Sequence, residues 1–417
     1  MKRIATIPAV AERHLCCGCG ACAGLAPDQL EMVDVADQGL RPVLRPGVAP
    51  EATADLVPVC PGVSIGHAPG AEDGGHIPEL FEAWGPILEL WEGYATDPEL
   101  RRAGSSGGAA TALGLWALDQ DEAGAVAHIR ARPDEPWRNE TVLSTTRDAL
   151  LGATGSRYAP ASPADSLGAV AAAPEPSVFI GKPCDVAAAA NARVARPDLD
   201  RQLALTIAIF CAGTPSTEGT LEMMRTMGVD PDGDDVRSVR YRGNGWPGLA
   251  EVVVGSESGG TDARTLTYAE SWGDILQRHR PWRCHICADH TGEFADVAVG
   301  DPWYREIEPD DPGRSLVLVR TERGRRAVRA AMEAGVLELA PRSPDTLVRS
   351  QPNLLRTRGA VWARLATMRV LGLPTPRYRN MAMFPLWRRE LSVKQKAQSL
   401  GGTVKRIWRR RLHRPAS

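Results

Sequence analysis

Long apolar runs and net charge are what this sequence lacks. Although 43% of its 417 residues are hydrophobic, no uninterrupted apolar stretch approaches the ~18 residues that a membrane-spanning helix needs. A formal net charge of -2 removes any general electrostatic attraction to nucleic acid. The segment from Met1 to Val10 is too short and too weakly apolar for a secretory signal. Lysine is rare beside arginine, which reads as a composition effect without functional meaning. These absences predict a soluble, cytoplasmic protein, in which cysteines stay reduced and serve metals or catalysis rather than disulfides. A chain of this length holds two or three domains, one of them with a large core.

Cysteine is what the sequence does offer. Eight of the nine fall into two sets of four. Cys16, Cys19 and Cys22 follow one another at two-residue gaps, and Cys60-Pro61 lies further on. A bacterial ferredoxin motif runs C-x2-C-x2-C-x3-C-P, and its fourth cysteine serves the other cluster of a pair. Here Ala26 stands at that fourth position with Pro27 after it, and the missing ligand reappears as Cys60, beyond a hairpin expected from Leu30 to Leu44. This spacing fits one 4Fe–4S cluster. Zinc is the competing ion, since four thiolates also bind it. Cys17 is out of phase with the others and reads as a spare buried thiol.

Residues 62–90, rich in Gly, Pro and Ala, read as a connector. Gly104-Ser105-Ser106-Gly107-Gly108 then runs into a segment with the apolar spacing of a buried helix, with Ser106 a candidate cap. Glycines at a helix start let backbone N–H groups approach an anion such as a flavin phosphate, although a plain turn explains the same residues. Short strands are expected over 177–180 and 203–210, each followed by a helix. They place Cys184 and Cys211 just beyond strand carboxyl ends, where open α/β sheets hold their ligands. Core strands over 295–301 and 316–319 and a helix over 322–334 complete an α/β pattern. Cys284-His285-Ile286-Cys287 suits zinc, a redox dithiol or half a cluster, and Cys184 and Cys211 alone read equally well as core thiols.

Taken in order, several blocks are more specific than any one of them: Gly104 to Gly108, Gly155-Ser156-Arg157-Tyr158, Gly181-Lys182-Pro183-Cys184, Phe210-Cys211-Ala212-Gly213, Tyr241-Arg242-Gly243-Asn244-Gly245-Trp246, Cys284 to Cys287 with Asp289, Ala295-Asp296 with Gly300-Asp301, and Gly372-Leu373-Pro374-Thr375-Pro376. Through them the chain resembles the coenzyme F420 hydrogenase/dehydrogenase beta-subunit family. The resemblance implies a mixed-sheet core that binds FAD and holds a 4Fe–4S cluster on Cys184, Cys211, Cys284 and Cys287. A small ferredoxin-like iron–sulfur module precedes it, as in the family's long forms, but with a single ligand set where many relatives have two. The implied domains are 1–75 for the module and linker, 76–376 for the core, and 377–417 for a basic tail.

In this family the flavin exchanges hydride with a substrate and single electrons with the cluster. The resemblance therefore implies an oxidoreductase with two 4Fe–4S clusters and FAD, taking electrons from ferredoxin or a similar donor. Its substrate would be a small organic molecule or a sugar intermediate of polysaccharide assembly, with coenzyme F420 as a further candidate. A non-catalytic electron-transfer beta subunit of a larger hydrogenase or dehydrogenase complex is the alternative.

Candidate flavin contacts are Ser105, Ser106, Gly107, Gly108 and Thr111 at the helix start, and Ser156, Arg157 and Tyr158 at the ribityl chain or ring. Arg157 suits a phosphate or a reduced, anionic flavin. Lys182 is either a cation that raises the flavin potential or a solvated loop lysine. Arg242 and Trp246 lie in a Gly-rich loop on the substrate side. Asp289, Asp301 and Trp303 are candidates to tune or shield the core cluster, with a turn-forming role as the alternative for Asp301. None of His279, His285 and His290 is assigned to catalysis. In the tail, Val404, Ile407, Trp408 and Leu412 share one helical face among basic residues. That face suits peripheral contact with the inner membrane surface or a partner, against a merely solvated basic helix end.

Overall fold

Runs of aliphatic and β-branched residues in the middle of the chain are buried at every position. Val297–Gly300 and Ser315–Val319 are two such strands, the pattern of a sheet covered on both faces. The computed structural model describes residues 4–71, 74–256 and 259–416. Its largest sheet has eight strands in the order Leu337–Pro341, Glu89–Ala95, Ser315–Val319, Val297–Gly300, Leu203–Ile209, Ser177–Gly181, Ala125–Ala131 and Asn139–Ser144. The four from Val297–Gly300 to Ala125–Ala131 are paired in parallel. The remaining pairings are antiparallel, so the sheet is mixed and the fold is α/β, as the sequence predicts.

Alternation along the strands divides the core in two. Val178, Val317 and Val319 pack with Leu113 of the helix Ala109–Asp119 and Val328 of the helix Glu322–Glu333. Phe179, Leu316 and Leu318 face the other way, toward Val186 and Ala189 of the helix Pro183–Ala195. A separate antiparallel sheet of Val236–Arg240, Ala250–Gly255 and Thr261–Leu266 brackets the Gly-rich loop at 241–248.

The N-terminal hairpin forms in the expected place, with Leu30–Val35 paired to Gly39–Leu44 and Leu30 opposite Leu44. The segment read as a connector carries more structure than its composition suggests. Ser64–Gly66 pairs in parallel with Arg377–Arg379, Pro78–Trp84 is helical, and Glu89 opens a strand of the main sheet. The tail also differs from expectation. Its helix Val393–Arg409 packs on the long helix Pro352–Val370, and Ile407 and Leu412 are buried with Val361 and Leu365. Val404 and Trp408 point outward, 38% and 62% exposed. The single apolar face expected from the sequence is therefore split, because the tail spends half of it on the body of the protein. Among the described residues no helix is long and apolar enough to cross a membrane.

The first cysteine loop is seated on the core through a contact that only glycine permits. The helix Ala21–Leu25 meets the turn and helix over 163–172 so closely that a Cβ on Gly24 would lie 2.3 Å from the Asp165 carbonyl oxygen, and one on Gly168 would lie 2.1 Å from the Gly24 carbonyl oxygen. Hydrogen bonds flank this contact: Ser162 Oγ donates to the Gly18 carbonyl at 2.8 Å, and Ala164 N donates to the Cys19 carbonyl at 3.0 Å. Gly168→Val is expected to cost about 1–3 kcal/mol or more, as overpacking does. Gly401, in the outer helix with nothing within 4 Å, gives the contrast: Gly401→Ala is expected to add about 0.4–1 kcal/mol. Denaturant midpoints of the two variants check both signs, and equal midpoints would reject the tight seat.

Candidate functional site

A cavity of about 290 Å³ opens at the carboxyl ends of the central parallel strands, against Gly181, Ile209 and Gly300. Its floor is the start of the helix Ala109–Asp119, with Gly108 at the N-cap in the left-handed region at φ 75°. The first-turn N–H groups there have no partner within the helix, and Ala109, Ala110 and Thr111 line the cavity. A Cβ on Gly108 would meet a Leu100 methyl at 2.4 Å, so both the backbone angle and the space require glycine. The helix dipole favours an anion at this end.

Of the residues singled out from sequence, Ser105, Ser106, Gly108, Thr111, Ser156, Arg157, Tyr158, Lys182, Arg242 and Asp301 all line this one cavity. Gly107 does not. Its N–H is given to Ser315 Oγ at 2.9 Å, and a Cβ there would strike the backbone at Ser315. It is a packing glycine rather than a phosphate contact. Ser106 Oγ donates to the Arg314 carbonyl at 2.6 Å, so its hydroxyl is already engaged.

Arg157 is also engaged. It donates to Asn139 Oδ1 at 2.6 Å, Val239 O at 2.8 Å and Pro136 O at 2.6 Å. Burial lowers its pKa, and what it presents to the cavity is charge rather than free donors. Arg242 and Asp301 form a two-pronged ion pair at 2.7 and 3.0 Å. Trp246 Nε1 adds a bond to Asp301 at 2.8 Å. Asp301 therefore anchors Arg242 at the cavity wall, the role that neither reading from sequence gave it. Asp289 caps its own turn, accepting from the N–H groups of Thr291, Gly292 and Glu293.

An aromatic wall was not legible in the sequence. Tyr268 stacks on Trp303 with centroids 5.1 Å apart, Trp272 lies against Tyr158 at 5.0 Å, and Arg242 sits over Tyr268 at 5.2 Å. The one available signal was the four-residue spacing of Tyr268 and Trp272, which places both on one side of a helical turn.

Cys211 and Lys182 lie on the cavity wall and lead to the cysteines. Lys182 donates to Asp185 Oδ2 at 2.7 Å and Ala161 O at 3.1 Å, and its side chain is only 18% exposed, which removes the solvated-loop reading. Burial works against its charge, but Asp185 and the Cys184 and Cys211 sulfurs hold its proton well above the usual lysine range.

The four cysteines of the first set line one small apolar cavity. Burial pushes the Cys60 thiol up to about 12, with nearby Cys16 adding to it. Cys19 gains a lowering hydrogen bond from Cys17, yet burial with Cys60 and Cys22 still pushes it up to about 11. In the second set, burial followed by Cys184 and Cys284 raises Cys211. Burial also pushes Cys287 up to about 12, with Cys184 and Cys284 among its neighbours.

Backbone N–H groups point at two of these sulfurs, Gly18 to Cys16 at 3.4 Å and Gly213 to Cys211 at 3.3 Å. Closely spaced thiols, several of them raised by burial and by one another, suit a site whose cations deprotonate them. Both sets fit an iron–sulfur cluster by this chemistry. Among the described residues no group of three or more His, Cys, Asp and Glu side chains closes on a single metal ion.

The sequence models of one family match most of this region. The N-terminal model of the coenzyme F420 hydrogenase/dehydrogenase beta subunit matches residues 90–167, and its C-terminal model matches residues 176–345. The chain belongs to this beta-subunit family. Among curated proteins it is 26% identical over 316 residues to the coenzyme F420 hydrogenase subunit beta of Methanothermobacter thermautotrophicus, covering 70% of this chain and 99% of that one. It is 27% identical over 250 residues to the same subunit of Methanococcus voltae, covering 58% and 81%. A chain of the F420-reducing [NiFe] hydrogenase complex from Methanosarcina barkeri shares the fold, with a TM-score of 0.55 and 21% identity over 71% of this chain and 97% of that one. The family match starts at residue 90, at the first strand of the main sheet. The first cysteine set lies ahead of it.

A buried ionic cluster ties that preceding segment to the beta-subunit fold. Glu293 accepts from His67 Nε2 at 2.8 Å and pairs with Arg358. Burial opposes the charge of Glu293, but Arg358 and His67 outweigh it and hold the carboxyl at about 2, against an ordinary 4.5. A depressed carboxyl contributes stability above its unfolded value and loses it as pH falls toward the folded one. Glu293 is therefore expected to stabilise the fold fully above pH 4.5 and progressively less down to pH 2. Acid titration of the apo protein checks this: Glu293→Gln removes the loss in that window, and an unchanged acid transition would refute it.

Proposed function

We propose that this chain is the electron-transferring, flavin- and iron–sulfur-containing subunit of a larger redox assembly. When bound, FAD would supply two-electron hydride chemistry and each 4Fe–4S cluster single-electron transfer. The observation that carries this reading is the placement of Cys211 and Lys182 on the wall of the cavity whose opposite side is a helix N-terminus. A flavin there would have its phosphates at the helix start and its ring toward a cysteine of the second set. Gly108, Ala109, Ala110 and Thr111 would hold the phosphates through backbone N–H groups. Tyr158, Tyr268 and Trp303 would cover a ring and exclude water, and Arg242, fixed by Asp301, would hold positive charge beside it.

A second reading, a self-contained oxidoreductase with ferredoxin or a similar donor, is favoured by the first cysteine set. That set lies outside the family match yet is seated on the core by Gly24 and Gly168, so the chain carries its own port for single electrons. Anaerobic isolation from the native host, with iron, sulfide and FAD quantified, tests both. About eight irons and one FAD are expected, with a partner co-eluting in stoichiometric amount. A lone chain that oxidises reduced ferredoxin and turns over a substrate, coenzyme F420 included among those tried, would replace the first reading by the second. A chain without flavin would reject both.

A further inference from the structure

Arg283 is 3% exposed and immediately precedes Cys284. Its Nη2 donates to the Pro61 carbonyl at 3.0 Å, and Pro61 follows Cys60. One guanidinium thus ties the turn that completes the first cysteine set to the turn that begins the C-x2-C pair of the second. Its Nε and Nη1 are buried and have no protein acceptor. Tyr378, Cys287, Cys17 and Cys184 are the groups that act most on its charge, and among the described residues no carboxylate forms an ion pair with it. Cys60 lies within range as well. Tyr378 directs its hydroxyl to the Ile286 carbonyl at 2.7 Å, and it neighbours the guanidinium both through that hydroxyl and through its ring, 5.9 Å away.

The two cysteine sets meet at this point. Cys17 lies beside both Cys184 of the second set and Cys19 of the first. It also lines both the cavity of the first set and an adjoining one shared with Arg283, Lys182 and Cys284. A guanidinium in a dry interior without an anion is strongly unfavourable. Cysteine thiols do not relieve it while they keep their protons. Thiolates on net-negative clusters, one on each side, do.

We infer that Arg283 is the counter-ion shared by the two cluster sites, its charge lying between their cysteines. It is a positioning residue that sets both reduction potentials together. This rests on the two-cluster reading above. Removing the positive charge disfavours the reduced, more negative state of both clusters at once.

The test is an EPR-monitored redox titration of the full chain, with iron counted in every sample. In Arg283→Met both one-electron equilibria are expected to shift against reduction by about tenfold, about 59 mV each, while Arg283→Lys keeps most of the wild-type value. The fully reduced wild type is expected to show spin–spin splitting between neighbouring clusters. About eight irons with neither potential moved, or with only one moved, overturns the inference and leaves the two-cluster reading standing. About four irons in the wild type overturns that reading and the inference with it. If Arg283→Met loses iron, Arg283→Gln keeps a donor for Pro61 without the charge. The same tenfold shift is expected there, and unchanged potentials overturn the inference.

Discussion

Cys60→Ala is expected to take the anaerobically isolated chain from about eight irons to about four, and Cys211→Ala to do the same from the other site. The two losses are distinguishable by what accompanies them. Cys211 lies on the wall of the large cavity, so its loss should weaken flavin retention as well. Cys60 lies in the cavity of the first set, away from that wall, so its loss should leave the flavin in place. Iron counts and the flavin absorbance of each variant check this. A Cys60→Ala protein with unchanged iron would remove the first set from consideration. Zinc in place of iron in the wild type, at one ion per set, would restore the competing reading of both.

Asp301→Ala is expected to be the most damaging single change in the large cavity. Asp301 is 16% and Arg242 3% exposed, and the pair is held by two charge-assisted bonds with Trp246 as a third partner. Breaking a buried pair from one side leaves the other charge unmatched, at a cost of about 3–5 kcal/mol. Arg242 would keep only its weaker bonds to the Pro247 and Ser105 carbonyls and the Tyr158 hydroxyl. The expected result is a lower denaturation midpoint together with loss of bound flavin. Asp301→Asn, which retains an acceptor for Trp246 but no charge, should fall between wild type and Asp301→Ala in stability. A variant as stable and as yellow as the wild type would show that the pair neither supports the fold nor shapes the site.

How legible these features were depended on how far they reach along the chain. The strands 177–181 and 203–209 and the placement of Cys184 and Cys211 beyond their ends could be read locally, because a buried strand and a following helix are local patterns. The helix start at Gly108 was legible for the same reason. Gly107, its neighbour, was misread because its constraint comes from Ser315, some two hundred residues away. The pairing of Asp301 was hidden in the same way: its partner Arg242 sits in a loop bracketed by a three-stranded sheet far from it in sequence. The tail helix shows the opposite failure. Its apolar positions were correctly seen, but only tertiary packing decides which of them turn inward, and Ile407 and Leu412 do so while Trp408 does not.

The packing of the tail helix against the body bears on the timing of synthesis. Leu15 and Cys16 share a buried cluster with Val361, Leu365, Ile407 and Leu412, and Ala416 N donates to the Glu12 carbonyl at 2.8 Å. At roughly 5–20 residues per second on the ribosome, the first cysteines are made on the order of 20–80 s before the residues that cover them. For that interval Cys16, Cys19 and Cys22 are bare thiols on a nascent chain. The loop that carries them is covered by residues made roughly four hundred positions later, so a cofactor bound there would be delivered only after the helix Val393–Arg409 has emerged, or by a carrier that guards those thiols until then.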